Sequence, residues 1–256
     1  MQFGGPAADY DRFMGRYTGT LAVALADAAG VAAGMRVVDV GCGPGGLAAE
    51  LAARVGPEKV AAIDPAARFV AACRERNPGA DVREGVAEQL PWPDEAFDAA
   101  LSCLVIAFMS DPDRGVSEMR RVTRPGGTVA ACMWDTAGGG MTMLRYLWEA
   151  IGEVDPGARG ERDLAGTREG DIADRLRRAE LQDVAAGVLM ASADYADFED
   201  FWTPLTLGVG PAGEHLAALT QEQRSRVREV LMTRVPQGPF TLEARAWYAR
   251  GTVRPR

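Results

Sequence analysis

The chain has 256 residues, 47% of them hydrophobic and 25% charged, with a formal net charge of −8 and a pI near 4.9. That length suits one large domain or one domain with a small insertion, and the acidic balance opposes a nucleic-acid-binding surface. Cys42, Cys73, Cys103 and Cys132 stand far apart with no CxxC pair, which argues against a disulfide framework or a zinc site and suits a reducing cytoplasm. No basic stretch followed by an apolar one opens the chain, so no signal peptide is expected. The longest apolar run, Ala99 to Met109, is too short to span a bilayer.

Ala7 to Met14 reads as a short helix and Thr20 to Ala29 as a second, closed by Gly30. Arg36 to Val40 is the first strand and Leu47 to Val55 the helix after it. Lys59 to Ile63 is the second strand, ending at Asp64, and the helix Ala66 to Arg76 stops at Asn77-Pro78-Gly79. Asp81 to Glu84 is a short third strand, and Ala99 to Val105 an apolar fourth that should be covered on both faces. Ser110-Asp111-Pro112 starts a helix running to about Thr123. Arg124 to Gly127 is a turn, and Thr128 to Met133 the fifth strand.

Beyond these, Met141 to Ile151 and Asp171 to Ala179 read as helices flanking a polar loop, Val154 to Glu169. Asp183 to Ala191 is a sixth strand. Ala196 to Leu207 and Gln221 to Val235 read as helices joined by a Gly- and Pro-containing loop. Thr241 to Ala249 alternates well and is expected to pair antiparallel with the sixth strand. Strands alternating with helices at this spacing predict an α/β fold: a doubly wound, Rossmann-like, mostly parallel sheet.

Val37 to Gly46 carries the most functional information. It is a strand, a glycine cluster and a helix N-terminus, the unit that brings backbone N–H groups close to a nucleotide. Gly41, Gly43 and Gly46 fit the dinucleotide spacing, while Gly41, Gly43 and Gly45 fit a tighter one. Asp39 separates the two: a carboxylate at the mouth repels a pyrophosphate and attracts an ammonium or sulfonium. The bland role for Asp39 is to accept hydrogen bonds from loop N–H groups.

These pieces occur together with Ile63-Asp64-Pro65, Gly85 to Trp92, Phe97 to Ser102 and Arg124-Pro125-Gly126-Gly127. In that order and spacing the chain resembles the class I S-adenosylmethionine-dependent methyltransferases of the small-molecule kind, over roughly residues 35–133. The resemblance implies a seven-stranded sheet with an antiparallel C-terminal strand. It divides residues 1–256 into a helical lid at 1–34, a cofactor-binding core at 35–135 and helical substrate-side insertions at 136–182 and 192–238. It implies S-adenosyl-L-methionine as cofactor, with Asp39, Gly41, Cys42 and Gly43 around its charged end. Asp64 would take the ribose hydroxyls, with a helix cap as its bland role. Pro65, Gly85, Val86, Ala87, Glu88 and Leu104 would surround the adenine. Val86 stands where similar sequences often carry Asp; a backbone contact at Ala87 and the Glu88 carboxylate are the substitutes. Ser102 would touch the methionine portion, and Tyr10, Arg16 and Tyr17 would reach its carboxylate from the lid.

The acceptor is expected to be small and apolar or aromatic. Phe108, Met109, Met133, Trp134, Met141, Met143, Tyr146 and Trp148 cluster where the fourth and fifth strands open, and Phe198, Phe201 and Trp202 could add a wall. Transfer would be metal-free: Asp111 and Asp113 read as helix-cap charges. The one histidine, His215, is a weak candidate base against a plain surface role. The partners expected are a small-molecule methyl acceptor, no nucleic acid and no membrane. The rivals are an NAD-dependent oxidoreductase, which leaves Asp39 unexplained, and a protein that binds the cofactor without catalysis.

Overall fold

β-Branched and alanine-rich runs form β1 (Val37–Val40), β2 (Val60–Asp64), β3 (Asp81–Glu84) and β4 (Phe97–Cys103). Longer strands follow: β5 (Thr123–Trp134), β6 (Gln182–Tyr195) and β7 (Phe240–Thr252). They join in one seven-stranded sheet of order β3-β2-β1-β4-β5-β7-β6. β1 to β5 pair in parallel, while β7 runs antiparallel between β5 and β6. The computed structural model describes residues 6–255, so the first five residues of the expected lid lie outside it.

The helices are α1 (Ala7–Tyr10), α2 (Arg16–Ala28), α3 (Gly46–Val55), α4 (Ala67–Arg76), α5 (Pro112–Val122) and α6 (Thr142–Val154). The remainder are α7 (Asp171–Arg178), α8 (Phe198–Leu205), α9 (Gly210–Ala218) and α10 (Gln221–Arg234). α2, α3 and α4 pack against one another in turn, and α5 packs against α7 over β4 and β5. β1 is buried at all four positions, and β4 is almost wholly so. The reversal of strand order beside β1 and β4 leaves a crevice at their C-terminal ends, where open α/β sheets bind ligands.

Four elements depart from the sequence expectation. The two N-terminal helices are one rod, in which the π-helical turn Asp11–Gly15 joins α1 to α2. Its stripe of Phe13, Met14, Tyr17, Leu21 and Leu25 is buried, and that burial outweighs the ~1 kcal/mol cost of each interior glycine. The Arg124–Gly127 turn lies inside β5, because its backbone is tied across to the end of β7: Gly126 N–H donates to Val253 O at 2.8 Å and Val253 N–H to Gly127 O at 2.9 Å. β6 runs on to Tyr195, since Ala191, Ala193 and Tyr195 point inward. The expected glycine–proline loop contains a helix, α9, with Pro211 in its first turn. No helix among the described residues is long and apolar enough to cross a membrane.

Candidate active site

The first βα turn is shaped by steric necessity at two glycines. Gly41 has φ +79°, and a Cβ there would come within 2.4 Å of Val105. Gly45 has φ +96°, and a Cβ would meet Asn77 Nδ2 at 2.5 Å and Cys73 Sγ at 2.9 Å. Only glycine fits both the dihedral and the space. The N–H groups of Gly41 and Cys42 both donate to Ile63 O, at 2.8 and 2.9 Å, so the loop is stapled to the end of β2. A Cβ on Gly43 would meet nothing within 4 Å.

Above this loop lies a cavity of about 620 Å³. The lid contributes Tyr10 and Thr18, the loop contributes Gly41, Cys42 and Gly43, and Asp39 lines it at the end of β1. Asp64 and Pro65 enter from β2, and Gly85, Val86, Ala87 and Glu88 from the turn after β3. Leu104 and Val105 follow β4, and Phe108 and Met109 close the far side. Leu104 has φ +64°, a costly conformation for a branched side chain, held by its N–H donating to Cys132 O at 2.9 Å.

The two acids at the strand ends differ in kind. Asp39 is 1% exposed, and neither carboxylate oxygen has a well-formed hydrogen bond, the Ala48 amide being only a weak donor to it. Burial pushes its pKa well above the usual carboxylate range, with Cys73 and Asp64 adding and the Ala48 amide opposing. A buried carboxylate this poorly satisfied favours a cation or a donor from a ligand. Asp64 is also buried but is engaged: Oδ2 accepts from Gly43 N–H and Oδ1 from Ala66 N–H, each at 2.9 Å. Burial raises its pKa, while those two amides and the Arg68 guanidinium oppose. A carboxylate has about four lone-pair positions, so two remain for a diol.

The remaining expected residues are placed as follows. Tyr10 sits edge-on to Phe69 with centroids 5.6 Å apart, and burial, reinforced by Cys103 and nearby acids, keeps its phenol neutral. Val86 is 45% exposed and offers no polar atom. Glu88 accepts from Asp111 N–H at 3.0 Å, tying the cavity rim to the start of α5. Arg16 is turned away from the cavity. It grips Asp200 with two nitrogens, donates to Asp194 O at 2.7 Å and stacks over Tyr195 at 4.9 Å. Tyr17 is fully buried, its hydroxyl 3.1 Å from that of Tyr195. Ser102 is buried within β4, and its neighbour Cys103 reaches the cavity instead. His215 lies in the last turn of α9, 3.1 Å from Asp155 and against Trp148, outside the cavity lining.

On the acceptor side only Phe108 and Met109 of the expected apolar cluster reach the cavity. Met133, Trp134, Met141 and Met143 are core, because β5 and α6 turn them under β7. Two features were not anticipated. Arg68, at the start of α4, lines the cavity over the Phe69 ring at 4.9 Å, and its Nε and Nη2 are buried without partners. Its only sequence cue is its place four residues beyond Asp64. Glu161, inside the polar loop, is 5% exposed, and burial lifts its carboxyl to about 7. Among the described residues no group of three His, Cys, Asp or Glu is placed to hold a metal.

This crevice, with its glycine turn and two strand-end acids, agrees with the comparisons to known proteins. The family profile described as a methyltransferase domain matches residues 38–131. Over that span, somewhat more than a third of its length, the chain is similar to methyltransferase domains. It is similar to 2-methyl-6-phytyl-1,4-hydroquinone methyltransferase 2 of Oryza sativa subsp. japonica, at 41% identity over 39% of this chain and 28% of that one. A malonyl-[acyl-carrier protein] O-methyltransferase of Pectobacterium atrosepticum is 32% identical over 58% of this chain and 57% of its own length. The chain spans well under two thirds of either relative. Among solved structures, a phosphoethanolamine N-methyltransferase 2 of Haemonchus contortus, in complex with S-adenosylhomocysteine, superimposes with a TM-score of 0.58 at 18% identity. That likeness covers 98% of this chain and 57% of the other and is one of fold.

Proposed function

We propose that the chain transfers a methyl group from S-adenosylmethionine to a small, apolar or aromatic acceptor, without a metal ion. The observation that carries the proposal is Asp39, a buried carboxylate without a well-formed hydrogen bond, lining a cavity of about 620 Å³ beside an open glycine loop. The site fits a sulfur nucleoside: it offers a negative group for a cationic ligand and a diol acceptor in Asp64. S-adenosylmethionine supplies, when bound, an electrophilic methyl group on a sulfonium.

The chain's own residues then bind, orient and exclude water. Asp39 faces the charged end, and Asp64 accepts from the ribose with the lone pairs its two backbone amides leave free. Ala87 offers a buried backbone contact to the adenine, and Pro65 and Leu104 its apolar walls. Phe108 and Met109 bound the side from which an acceptor approaches. Orienting acceptor and methyl group in line contributes about 7–11 kcal/mol, so a positioned base is not required for a nucleophile that is already ionised. The acceptor class is supported by the apolar far wall and by the small-molecule relatives.

Calorimetry with S-adenosylmethionine, S-adenosylhomocysteine and NAD tests the cofactor. Binding of the two sulfur nucleosides and not of NAD is expected; uptake of NAD alone would overturn the proposal. Incubation with methyl-labelled cofactor and phenolic, quinone-like and amine acceptors, with and without chelator, tests transfer. Label in none of them, or loss on chelation restored by magnesium, would refute metal-free transfer to such acceptors.

A further inference from the structure

The arginines of this chain repeatedly turn one edge, Nε with Nη2, toward a carboxylate. Arg83 gives Nε to Asp81 Oδ1 at 2.9 Å and Nη2 to Asp81 Oδ2 at 2.7 Å. Arg121 gives Nε to Glu118 Oε1 and Nη2 to Glu118 Oε2, both at 2.8 Å. Arg245 turns the same edge to Asp135. In the first two, a pair of parallel N–H donors matches the two oxygens of a carboxylate.

Arg68 presents that same edge at the crevice, and no group among the described residues bonds to it. The side chain lines the cavity, and its Nε and Nη2 are buried without a hydrogen-bond partner. Such an edge has lost water and gained no acceptor, which is unfavourable until a ligand supplies one. The nearby acids are engaged elsewhere. Asp64 accepts from the N–H groups of Gly43 and Ala66 and feels the Arg68 charge without bonding to it. Glu88 accepts from Asp111 N–H. Asp11 holds Arg76, the other cation among the described residues of the lining.

The edge also stands at the head of an aromatic wall. The Arg68 guanidinium lies over the Phe69 ring at 4.9 Å, and Phe69 meets Tyr10 edge-on with centroids 5.6 Å apart. Both rings line the same cavity as Phe108 and Met109. An apolar body laid along these side chains has its end at the guanidinium.

We propose that Arg68 recognises the methyl acceptor, and that the acceptor is an apolar or aromatic carboxylic acid held by its carboxylate in the Nε–Nη2 fork. A monoanion suits the site better than a phosphate dianion, because Arg76 is paired with Asp11 and one guanidinium alone faces the ligand, beside the acid of Asp64. The cofactor's own carboxylate is a poorer match. In the placement proposed above it lies with the charged end, at Asp39 and the glycine loop. Arg68 belongs to the first turn of α4, four residues after the ribose acid Asp64. Calling the bound acid the acceptor rests on the proposed cofactor; the carboxylate site at Arg68 does not.

The test is calorimetry on the purified full-length protein at pH 8, with and without saturating S-adenosylhomocysteine. The probes are 4-hydroxybenzoate, 4-hydroxycinnamate and octanoate, each beside its neutral primary amide, and 4-hydroxyphenyl phosphate. Expected is an acid that binds about tenfold or more tightly than its amide. Arg68→Met keeps an apolar stem over Phe69 and should bring the acid down to the affinity of the amide. Arg68→Lys keeps the charge without the fork and should restore part of the preference. Both variants should hold S-adenosylhomocysteine within about threefold of wild type. No preference for any acid over its amide, tighter binding of the phosphate than of the acids, or a preference that survives in Arg68→Met would each overturn the proposal. So would variants that lose S-adenosylhomocysteine and keep the acid, since the fork would then hold the cofactor. Wild-type protein that binds acids through Arg68 but no sulfur nucleoside would instead strike at the proposed cofactor and leave the carboxylate site standing.

Discussion

The N–H of Gly43 donates to the Asp64 carboxylate at 2.9 Å, so the acid that ends β2 also holds the glycine loop that ends β1. Asp64 therefore has a structural role and a binding role in one side chain. Asp64→Asn keeps one acceptor oxygen and turns a donor toward one of the two amides. Unfolding free energy should fall by about 1–3 kcal/mol, the cost of leaving a buried donor unmet. S-adenosylhomocysteine affinity should fall by more than about tenfold, because the remaining lone pairs of a carboxylate are lost as well. Denaturant titration and calorimetry on the same variant separate the two. Unchanged affinity beside lowered stability would show that Asp64 only holds the loop.

Asp39 predicts the opposite balance. Its carboxylate has no well-formed hydrogen bond, so Asp39→Asn removes a buried charge whose desolvation the fold does not offset, and the denaturation midpoint at pH 8 should not drop. Cofactor binding should weaken by about tenfold or more, since the cationic end loses its counter-charge. Burial raises the Asp39 pKa in the free protein, and a bound cation favours the ionised form. Wild-type affinity should be full above that raised pKa and fall as the medium is acidified through it, at a pH higher than an ordinary carboxylate would require. The Asn variant should show a flat profile over the same range. Parallel profiles for the two proteins would remove Asp39 from the site.

Arg16 separates what local sequence can reveal from what only the fold reveals. The strand ends at Asp39 and Asp64 and the turn Gly85–Glu88 were legible because each is set by its own few residues: an apolar run, a glycine that must be glycine, a short polar turn. The lid residues were not, because their partners come from distant chain. Arg16 meets Asp200 across 184 positions, and Tyr17 meets Tyr195 across 178. The same reason hides the core burial of Met133, Trp134 and Met141, which depends on where β7 inserts between β5 and β6. Leu104 in the left-handed region has no sequence cue, since leucine does not ordinarily mark such a turn.

That difference can be measured at Arg16 itself. The ion pair to Asp200 is about one third exposed on both sides, so it contributes of order 1 kcal/mol at moderate salt. Arg16→Ala should lower the melting temperature by about 2–4 °C while leaving S-adenosylhomocysteine affinity within about threefold. A large loss of affinity with unchanged melting would place Arg16 on the cofactor carboxylate after all.

Glu161 makes a stability prediction independent of the crevice. Its carboxyl is buried beside Trp148, whose Nε1 donates to it at 3.4 Å, and burial lifts its pKa from 4.5 to about 7. A carboxyl that holds its proton more tightly when folded stabilises the fold most below the unfolded pKa. That contribution is lost as pH rises through the folded value, so the window runs from about pH 4.5 to about pH 7. The shift corresponds to about 3 kcal/mol. Glu161→Gln keeps an acceptor for Trp148 and cannot ionise. Its stability relative to wild type should be near zero at pH 4.5 and should grow to a gain of up to about 3 kcal/mol by pH 8. Denaturant titrations at both pH values decide it, and a variant whose stability tracks wild type across the window would show that Glu161 ionises at an ordinary carboxylate pKa.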